Sequence, residues 1–481
     1  PFSFLYCNLT FIMANRFSPA PFYKIVLLIA DVLGFFASFQ LAYWFRLGEW
    51  LPDELWIKLT PCALFALVTL YIFDVYKLED RLDFFRDLLR LLFAVALSGV
   101  MMVLGAYLIG VKGFSGIAGR GVLVGALVIF AAWTSLCRLL IRARVRRLQS
   151  KARWLVIGTS DYLEHFLHDY EKSVHDVQLI CLTQSAQLLS QPKESLSEHC
   201  VRWREKYLKG TWDDVDEWLP QNWRGIIVAT GQKIPDYLVA KLMQTRFRGV
   251  RIYDLSDFYE VVWRKVPIFY LQGSWFALSQ GFHLLHNPIG IRLKRVGDIF
   301  CASLLLVLAS PLILLATFLV FVTSGRPIIY TQKRRGLNGE DFTIYKFRSM
   351  RRDAEKKGAQ WASADDNRIT PWGKWMRLTR IDELPQIWNI LKGDMSFIGP
   401  RPERPEFIKE LKAQIPFYEF RHLVRPGLSG WAQVSYPYGA TVEDAKEKLQ
   451  YELFYIKNYS LLLDWLVLLK TARVVLFGQG R

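Results

Sequence analysis

No two of the six cysteines stand at a zinc-binding spacing, and the chain carries no three-glycine dinucleotide fingerprint. Cys7, Cys62, Cys137, Cys181, Cys200 and Cys301 are scattered, several in apolar runs. They are expected to be reduced, mostly buried thiols, with neither a disulfide framework nor a metal site. Acid is short as well: 44 Asp and Glu face 61 Lys and Arg, a formal charge of +17. That surplus points to anionic lipid or phosphorylated molecules as partners. Nucleic acid is not expected, because the cations are dispersed among apolar runs and form no continuous groove-reading element. A cleavable signal peptide is not expected either, since the first apolar run is too long and lacks a small-residue cleavage site. The chain begins with proline; Met13 is a natural alternative start, and the residues before it are set aside from the fold argument.

What is abundant is apolar length. Hydrophobic residues make up 52% and aromatics 15% of 481 residues, enough chain for two or three domains. Four apolar segments, Ile25 to Trp44, Ile57 to Val75, Leu88 to Ile109 and Val122 to Leu140, approach the ~20 residues that cross a bilayer as helix. Thr60 and Pro61 interrupt the start of the second. After the fourth comes RLLIRARVRRLQSKAR, with seven basic residues and no acid from Arg138 to Arg153. The positive-inside rule puts that end, and hence the N-terminus, in the cytoplasm. The loop from Lys112 to Arg120 is less basic, as an outside loop should be.

From Trp154 to Asp257, WLVIG, VQLICL, GIIVAT and RIYDL read as strands, with helical patterns such as DYLEHFLHDYE between them. Alternation of this kind predicts a small parallel α/β domain. Its first turn, VIGTSDYLE, has only Gly158, so a regulatory or assembly module is expected. Tyr237 and Lys241 form a Tyr-x-x-x-Lys pair, which a plain amphipathic helix explains. A linker with Pro267 follows, and then an apolar run from Ile299 to Val322 with Ser310-Pro311 at its centre. Arg292, Lys294 and Arg295 precede it; Arg326, Lys333, Arg334 and Arg335 follow it. Basic flanks on both sides, and about 16 Å of helix in each half, predict a hairpin that enters and leaves by the cytoplasmic face. The alternative is an ordinary spanning helix that tolerates its proline.

Beyond the run, PIIYTQKRRGLNGEDFTIYKFRSM predicts two strands around Asn338-Gly339. Alternation puts Phe342, Ile344, Lys346 and Arg348 on one face, so Lys346 and Arg348 could clamp phosphate or simply be solvated. In RIDELPQIWNILKGDMSFIGPRP, Leu384, Ile387, Trp388 and Leu391 have the spacing of a buried helix face. Pro385 fits only a first turn, so the helix should begin near Asp382, where the macrodipole favours the ionised acid. Asp382 and Glu383 diverge by about 100° and should have different jobs. An N-cap acid and a first-turn acid would explain them without chemistry. Arg377, Arg380 and Arg401 surround the pair, however, as a diphosphate site would require.

YKFRSM at Tyr345 to Met350, DNRIT at Asp366 to Thr370, IDELPQIWNILKGDMSFIGPRP from Ile381 and RPGLSGWAQV at Arg425 to Val434 resemble the bacterial sugar transferase family, the polyprenyl-phosphate hexose-1-phosphate transferases. The N-terminal part resembles the family's long members more loosely. The resemblance implies transfer of a sugar-1-phosphate from a UDP-sugar to undecaprenyl phosphate in the inner membrane, on its cytoplasmic face. UMP leaves, and the product primes exopolysaccharide, capsule or O-antigen synthesis. It also implies magnesium, held at Asp382 and Glu383; Asp382 as nucleophile through a phosphosugar intermediate; and Glu383 as its metal-linked or proton-handling neighbour. Phosphate falls to Lys346, Arg348, Arg377 and Arg401, and a homodimer is compatible. Arg380 replaces a small polar residue and Asn367 a proline, and neither is expected to touch the acid pair. The expected fold is a membrane protein, α plus α/β, in four parts. They are four transmembrane helices (1–150), a Rossmann-like domain (151–260), a linker (261–290) and a catalytic domain (291–481) with a kinked re-entrant helix at 296–323. A membrane-anchored NAD-dependent nucleotide-sugar dehydratase and a non-catalytic scaffold of a polysaccharide assembly complex are the rival readings.

Overall fold

The computed structural model describes residues 19–73, 75–76, 84–109, 120–149, 153–172, 178–184, 198–271, 275–276, 279, 281–282, 287–351, 354, 368–436, 439 and 441–476. Asp366, Asn367 and the loop at 112–119 lie outside them. The chain divides into two compact units, residues 1–262 and 263–481.

The first unit opens with four helices, α1 (Pro19–Leu47), α2 (Asp53–Ile72), α3 (Phe84–Ile109) and α4 (Arg120–Gln149). α1, α2 and α4 are long and apolar enough to cross a membrane, and α3 carries a shorter apolar stretch, Leu88–Leu104. α2 runs straight through Pro61, where the sequence pattern predicts an interruption. Phe35, Phe39, Ala66, Ala94, Ala126 and Phe130 fill the interior between these helices. α1 and α4 approach closely at Gly34, where a Cβ would stand 2.1 Å from Trp133 Cδ1. The Trp133 indole donates to Ala30 O at 2.8 Å. Asp31, fully buried, is matched by Arg138, which donates from Nη1 at 2.9 Å and Nη2 at 2.8 Å, and by the Tyr76 hydroxyl at 2.7 Å. A buried charge persists in an apolar bundle only when paired this completely.

The same unit contains a five-stranded sheet of β1 (Arg153–Gly158), β2 (Gln178–Thr183), β3 (Leu208–Thr211), β4 (Gly225–Ala229) and β5 (Ile252–Asp254). Its order is β3-β2-β1-β4-β5 and every pairing is parallel. Helices α5 (Ser160–Lys172), α6 (Glu198–Tyr207) and α7 (Asp236–Phe247) connect the strands. β3 is not expected from the sequence, because LKGT is short and has no apolar run. In open sheets of this order a dinucleotide enters where the strand order reverses, between β1 and β4. Here Thr159 N donates to Ala229 O across that point at 3.0 Å. A Cβ at Gly231 would stand 2.5 Å from the Tyr162 hydroxyl. Tyr237 is exposed on α7, and Lys241 pairs with Asp216 at 2.5 Å.

The second unit begins with α8 (Pro288–Ser324), 37 residues in one hydrogen-bonded run, about 55 Å of helix. Ser310-Pro311 does not split it into two helices. Pro311 lacks the amide that would bond Val307 O, and the Ser310 hydroxyl donates to that same carbonyl at 2.8 Å. Ala302, Ala309 and Ala316 recur at heptad spacing on the buried face, flanked by Asp298 and Val320. The opposite face exposes Phe300, Val307, Leu308, Leu314 and Phe318. Against the buried face lie β6 (Ile329–Arg335) and β7 (Asp341–Phe347), an antiparallel hairpin whose turn holds Asn338 and Gly339 at positive φ. Then come α9 (Pro371–Leu378), a 3-10 turn (Ile381–Gln386), α10 (Ile387–Lys392), β8 (Ser396–Ile398), α11 (Pro405–Gln414), β9 (Gly427–Ser429), α12 (Trp431–Ser435), α13 (Val442–Lys457) and α14 (Leu461–Leu476). Ala302 packs with Ile344, Ile387, Ile390 and Met395, while Ala316 and Val320 pack with Phe347, Met376 and Ile381. Residues before and after Pro311 thus rest on the same small domain. α14 buries Leu463 and Val467 in that domain's core and exposes Leu461, Leu462 and Trp465.

Candidate active site

The two acids sit on the 3-10 turn and not at the start of an α-helix, which begins only at Ile387. Three residues per turn stack Ile381 on Leu384, Asp382 on Pro385 and Glu383 on Gln386. Ile381 and Leu384 enter the apolar cluster around Phe347 and Met376, so the two acids leave it on different edges. The tighter turn also shifts the phase of α10: Ile387 and Ile390 are buried, but Trp388, expected inside, is 61% exposed. Arg380 enters the turn with φ 60, a left-handed conformation that strains a non-glycine residue.

Glu383 is buried and saturated with cations. Its Oε1 accepts from Lys346 Nζ at 2.8 Å and from Arg401 Nη2 at 3.1 Å, and Arg380 Nη1 stands 3.6 Å from Oε2. Burial alone would raise its pKa, but Lys346, Arg401 and Arg380 together hold it well below the usual carboxylate range. Asp382 is equally buried and takes none of these contacts. Its Oδ1 has no hydrogen-bond partner among the described residues. Burial first, and then the Glu383 charge, push its pKa up to about 6, against the pull of Lys346, Arg377 and Arg380. Burial therefore outweighs the helix-start dipole expected to favour the ionised acid, since the turn is short.

β7 delivers Lys346 because Asn389 of α10 splints it. The buried Asn389 amide accepts from Tyr345 N at 3.2 Å and donates to Thr343 O at 2.7 Å, a substitute strand partner. Arg401 arrives on a loop whose four successive carbonyls are all taken. Pro400 O accepts from Gly427 N at 2.8 Å and Arg401 O from Arg421 at 2.8 Å. Pro402 O accepts from Arg334 at 3.2 Å and Glu403 O from Arg335 N at 3.0 Å. The prolines on either side of Arg401 carry no amide hydrogen, so the loop needs donors for its carbonyls more than acceptors for its amides. The two glycine-bearing motifs meet behind it. A Cβ on Gly399 would stand 2.3 Å from Arg425 O, and one on Gly427 2.1 Å from Gly399 N.

Of the residues singled out from sequence, the structure brings Lys346 and Arg401 to Glu383 and sets the Arg377 charge near Asp382, with Arg377 Nε on Ser349 Oγ at 2.9 Å. Arg348 lies one residue beyond the end of β7, so strand alternation does not decide its direction. Arg380, expected to stand clear of the acids, is in fact one of Glu383's three cations. Its departure from the family pattern was the available signal. Asn389 and Arg421 gave no signal at all, because a buried Asn or Arg is recognised only by its partners.

Among the described residues no three His, Cys, Asp or Glu side chains gather in a metal-binding group. Magnesium commonly takes one or two carboxylates and completes its shell with water and phosphate oxygens. The unpartnered buried oxygen of Asp382 suits that habit. Glu383 as found already holds three cations and could join a metal only by releasing some of that contact.

The sequence profile described as bacterial sugar transferase matches residues 289–478, the segment that carries this site. A UDP-N-acetylgalactosamine-undecaprenyl-phosphate N-acetylgalactosaminephosphotransferase from Aeromonas hydrophila is 44% identical over 231 residues, 48% of this chain and 53% of that protein. A putative undecaprenyl-phosphate N-acetylgalactosaminyl 1-phosphate transferase from Bacillus subtilis is 50% identical over 131 residues, 27% of this chain and 73% of the relative. A UDP-glucose:undecaprenyl-phosphate glucose-1-phosphate transferase from Klebsiella pneumoniae is 37% identical over 187 residues, 38% of this chain and 40% of the other. The matched region is thus about half the length of the Aeromonas protein and less of the Klebsiella one. With the cation-bound Glu383, its unpaired neighbour Asp382 and the stiff Arg401 loop all inside the matched segment, the chain belongs to the bacterial sugar transferase family.

Proposed function

We propose that this chain transfers a sugar-1-phosphate from a UDP-sugar to undecaprenyl phosphate at the inner membrane. The single observation that carries the reading is the asymmetry of the acid pair: Glu383 fully matched by cations, Asp382 buried with a free oxygen. An attacking carboxylate must be ionised yet not already held in an ion pair. In the first step Asp382 Oδ1 bonds to the phosphorus that carries the sugar, and the bond from that phosphorus to the UMP oxygen breaks. In the second step an oxygen of the lipid phosphate bonds to the same phosphorus and the aspartyl oxygen leaves as carboxylate. Lys346, Arg377, Arg380 and Arg401 offset the negative charge that would otherwise repel the nucleophile. Magnesium, when bound, would supply further neutralisation of the diphosphate; Glu383 would hold it by yielding part of its cation contact, which leaves Asp382 Oδ1 to attack.

The re-entrant course of α8 is part of this proposal. Its two halves pack on one polar domain that contains buried charge, and its flanks are basic on both sides. A helix crossing the bilayer outright would carry that domain into the hydrocarbon or separate the halves. The apolar outer face of α8, with Leu461, Leu462 and Trp465 of α14, would hold the site at headgroup depth on the cytoplasmic face. The relatives with N-acetylgalactosamine names are 44% and 50% identical and those with glucose names 35–41%, so UDP-N-acetylgalactosamine is the first donor to try.

The test is UMP release by the full chain in detergent or vesicles, with undecaprenyl phosphate, magnesium and a panel of UDP-sugars. Release with one donor, abolished in Asp382→Asn while the protein stays folded, is the expected result. Near-normal release from Asp382→Asn would sink the nucleophile assignment. NAD turnover in place of UMP release would favour a dehydratase, and no turnover with any donor a scaffold.

A further inference from the structure

Arg401 reaches Glu383 from a loop, and loops hold such geometry only when their peptides are fixed. Behind Arg401 lies a buried ion pair that does this. Arg421, in the turn Tyr418–Leu423, and Glu452, on α13, are each about 5% exposed and stand 2.8 Å apart. The same Arg421 Nη2 donates to Arg401 O at 2.8 Å. The Arg401 backbone amide lies close enough to the Glu452 carboxylate to favour its charged form. Tyr418 lies under the Arg421 guanidinium and takes its Nη1 through the hydroxyl. The buried pair therefore holds the Arg401 carbonyl through Arg421, which Glu452 fixes in turn, while the Arg401 side chain donates to Glu383. Buried pairs are often no more stabilising than apolar replacements.

We propose that Arg421 and Glu452 are positioning residues for the transfer reaction, acting through Arg401. The inference rests on the proposed role of Arg401 in that reaction. The pair holds the Arg401 peptide so that its guanidinium serves Glu383 and the incoming diphosphate. Misplacement of a charge-stabilising group by about 1 Å can lower a rate roughly 10²-fold.

The experiment is a double-mutant cycle on the full-length protein, with UMP release as the readout. Arg421→Lys keeps the charge but loses the planar guanidinium that ties Tyr418, Arg401 O and Glu452 together. It is expected to lower kcat/KM for the UDP-sugar roughly 10- to 100-fold. KM for undecaprenyl phosphate should stay within about twofold. In an Arg401→Ala background the same change should cost less than about twofold, because the residue it acts through is gone. Losses that multiply in full in the double variant overturn the inference. Glu452→Gln keeps an acceptor for Arg421 and is the milder variant if Arg421→Lys unfolds. It should lower kcat/KM about tenfold, again only when Arg401 is present. Full activity in folded Glu452→Gln overturns the inference as well. If Arg401→Ala alone leaves UMP release intact, the reading of Arg401 fails first, and that result is distinct from multiplying losses.

Discussion

Asp382 and Glu383 are adjacent in one 3-10 turn and equally buried, yet their acidities are driven in opposite directions. Glu383 falls well below the usual range under three cations, and Asp382 rises to about 6 beside it. The cations that make Glu383 a fixed anion leave Asp382 as the carboxylate with an oxygen to offer. The pair has one charge committed to structure and one available for chemistry.

That arrangement costs stability, and the cost has a sign. A carboxyl whose folded pKa stands near 6, above its ordinary 3.8, makes the folded state hold its proton longer than the unfolded chain does. The Asp382 contribution to stability should therefore decline as pH rises from about 4 through about 6 and level off above. Asp382→Asn removes the ionised group. It should unfold at a higher temperature than wild type at pH 7.5 by an amount worth on the order of 1–3 kcal/mol, and by little at pH 4. Thermal unfolding in detergent at the two pH values checks it, and equal shifts at both would contradict the assignment.

The same titration should appear in the kinetics. With Asp382 as the proposed nucleophile, only its ionised form would attack, so kcat/KM for the UDP-sugar should climb about tenfold per pH unit at low pH and level off above about 6. A pH series of UMP release reads this directly. A limb centred near pH 4 would mean the nucleophile is an ordinary exposed carboxylate.

Glu383→Ala removes the counter-charge from Lys346, Arg401 and Arg380 at once. Truncating one member of a buried ion cluster costs about 3–5 kcal/mol, and the denaturation midpoint should fall accordingly. Glu383→Gln, which keeps the shape and an acceptor, should fall by less while UMP release still drops. If both variants unfold as wild type does, the cluster is more solvated than its geometry implies.

The course of α8 can be read by labelling. A cysteine before Arg292 and another after Arg326 should both react only with reagent applied to the cytoplasmic side of inverted or right-side-out vesicles. Reaction from opposite sides would make α8 a spanning helix. Ser310→Ala leaves Val307 O with neither the missing Pro311 amide nor the hydroxyl that replaces it. It should destabilise the helix by about 1 kcal/mol.

Much of the site was legible in the sequence because it is carried by local chemistry. Asn338-Gly339 specifies a hairpin by positive φ, and alternation along β7 sends Lys346 to one side. Phe342 and Ile344, placed together by the same alternation, do enter one apolar cluster. Where sequence and structure differ, a local rule is overridden. A 3.6-residue period puts Trp388 inside, but the chain takes a 3-10 turn through Pro385 and arrives at α10 out of phase. Arg380, a departure from the family pattern expected not to touch the acid pair, has a left-handed backbone and stands 3.6 Å from Glu383 Oε2.

Sequence by itself determined the apolar helices, the parallel α/β sheet, the hairpin and the gathering of cations near one acid pair. Each arises from periodicity, turn chemistry or charge within a short span of chain. Only the tertiary structure decided which acid is held and which is free. That depends on Lys346, Arg380 and Arg401, drawn from a strand, a turn entry and a loop, converging on one carboxylate and sparing its neighbour. Coulombic matching and desolvation act over a few ångströms in space, whatever the separation along the chain, so no linear pattern could encode the difference.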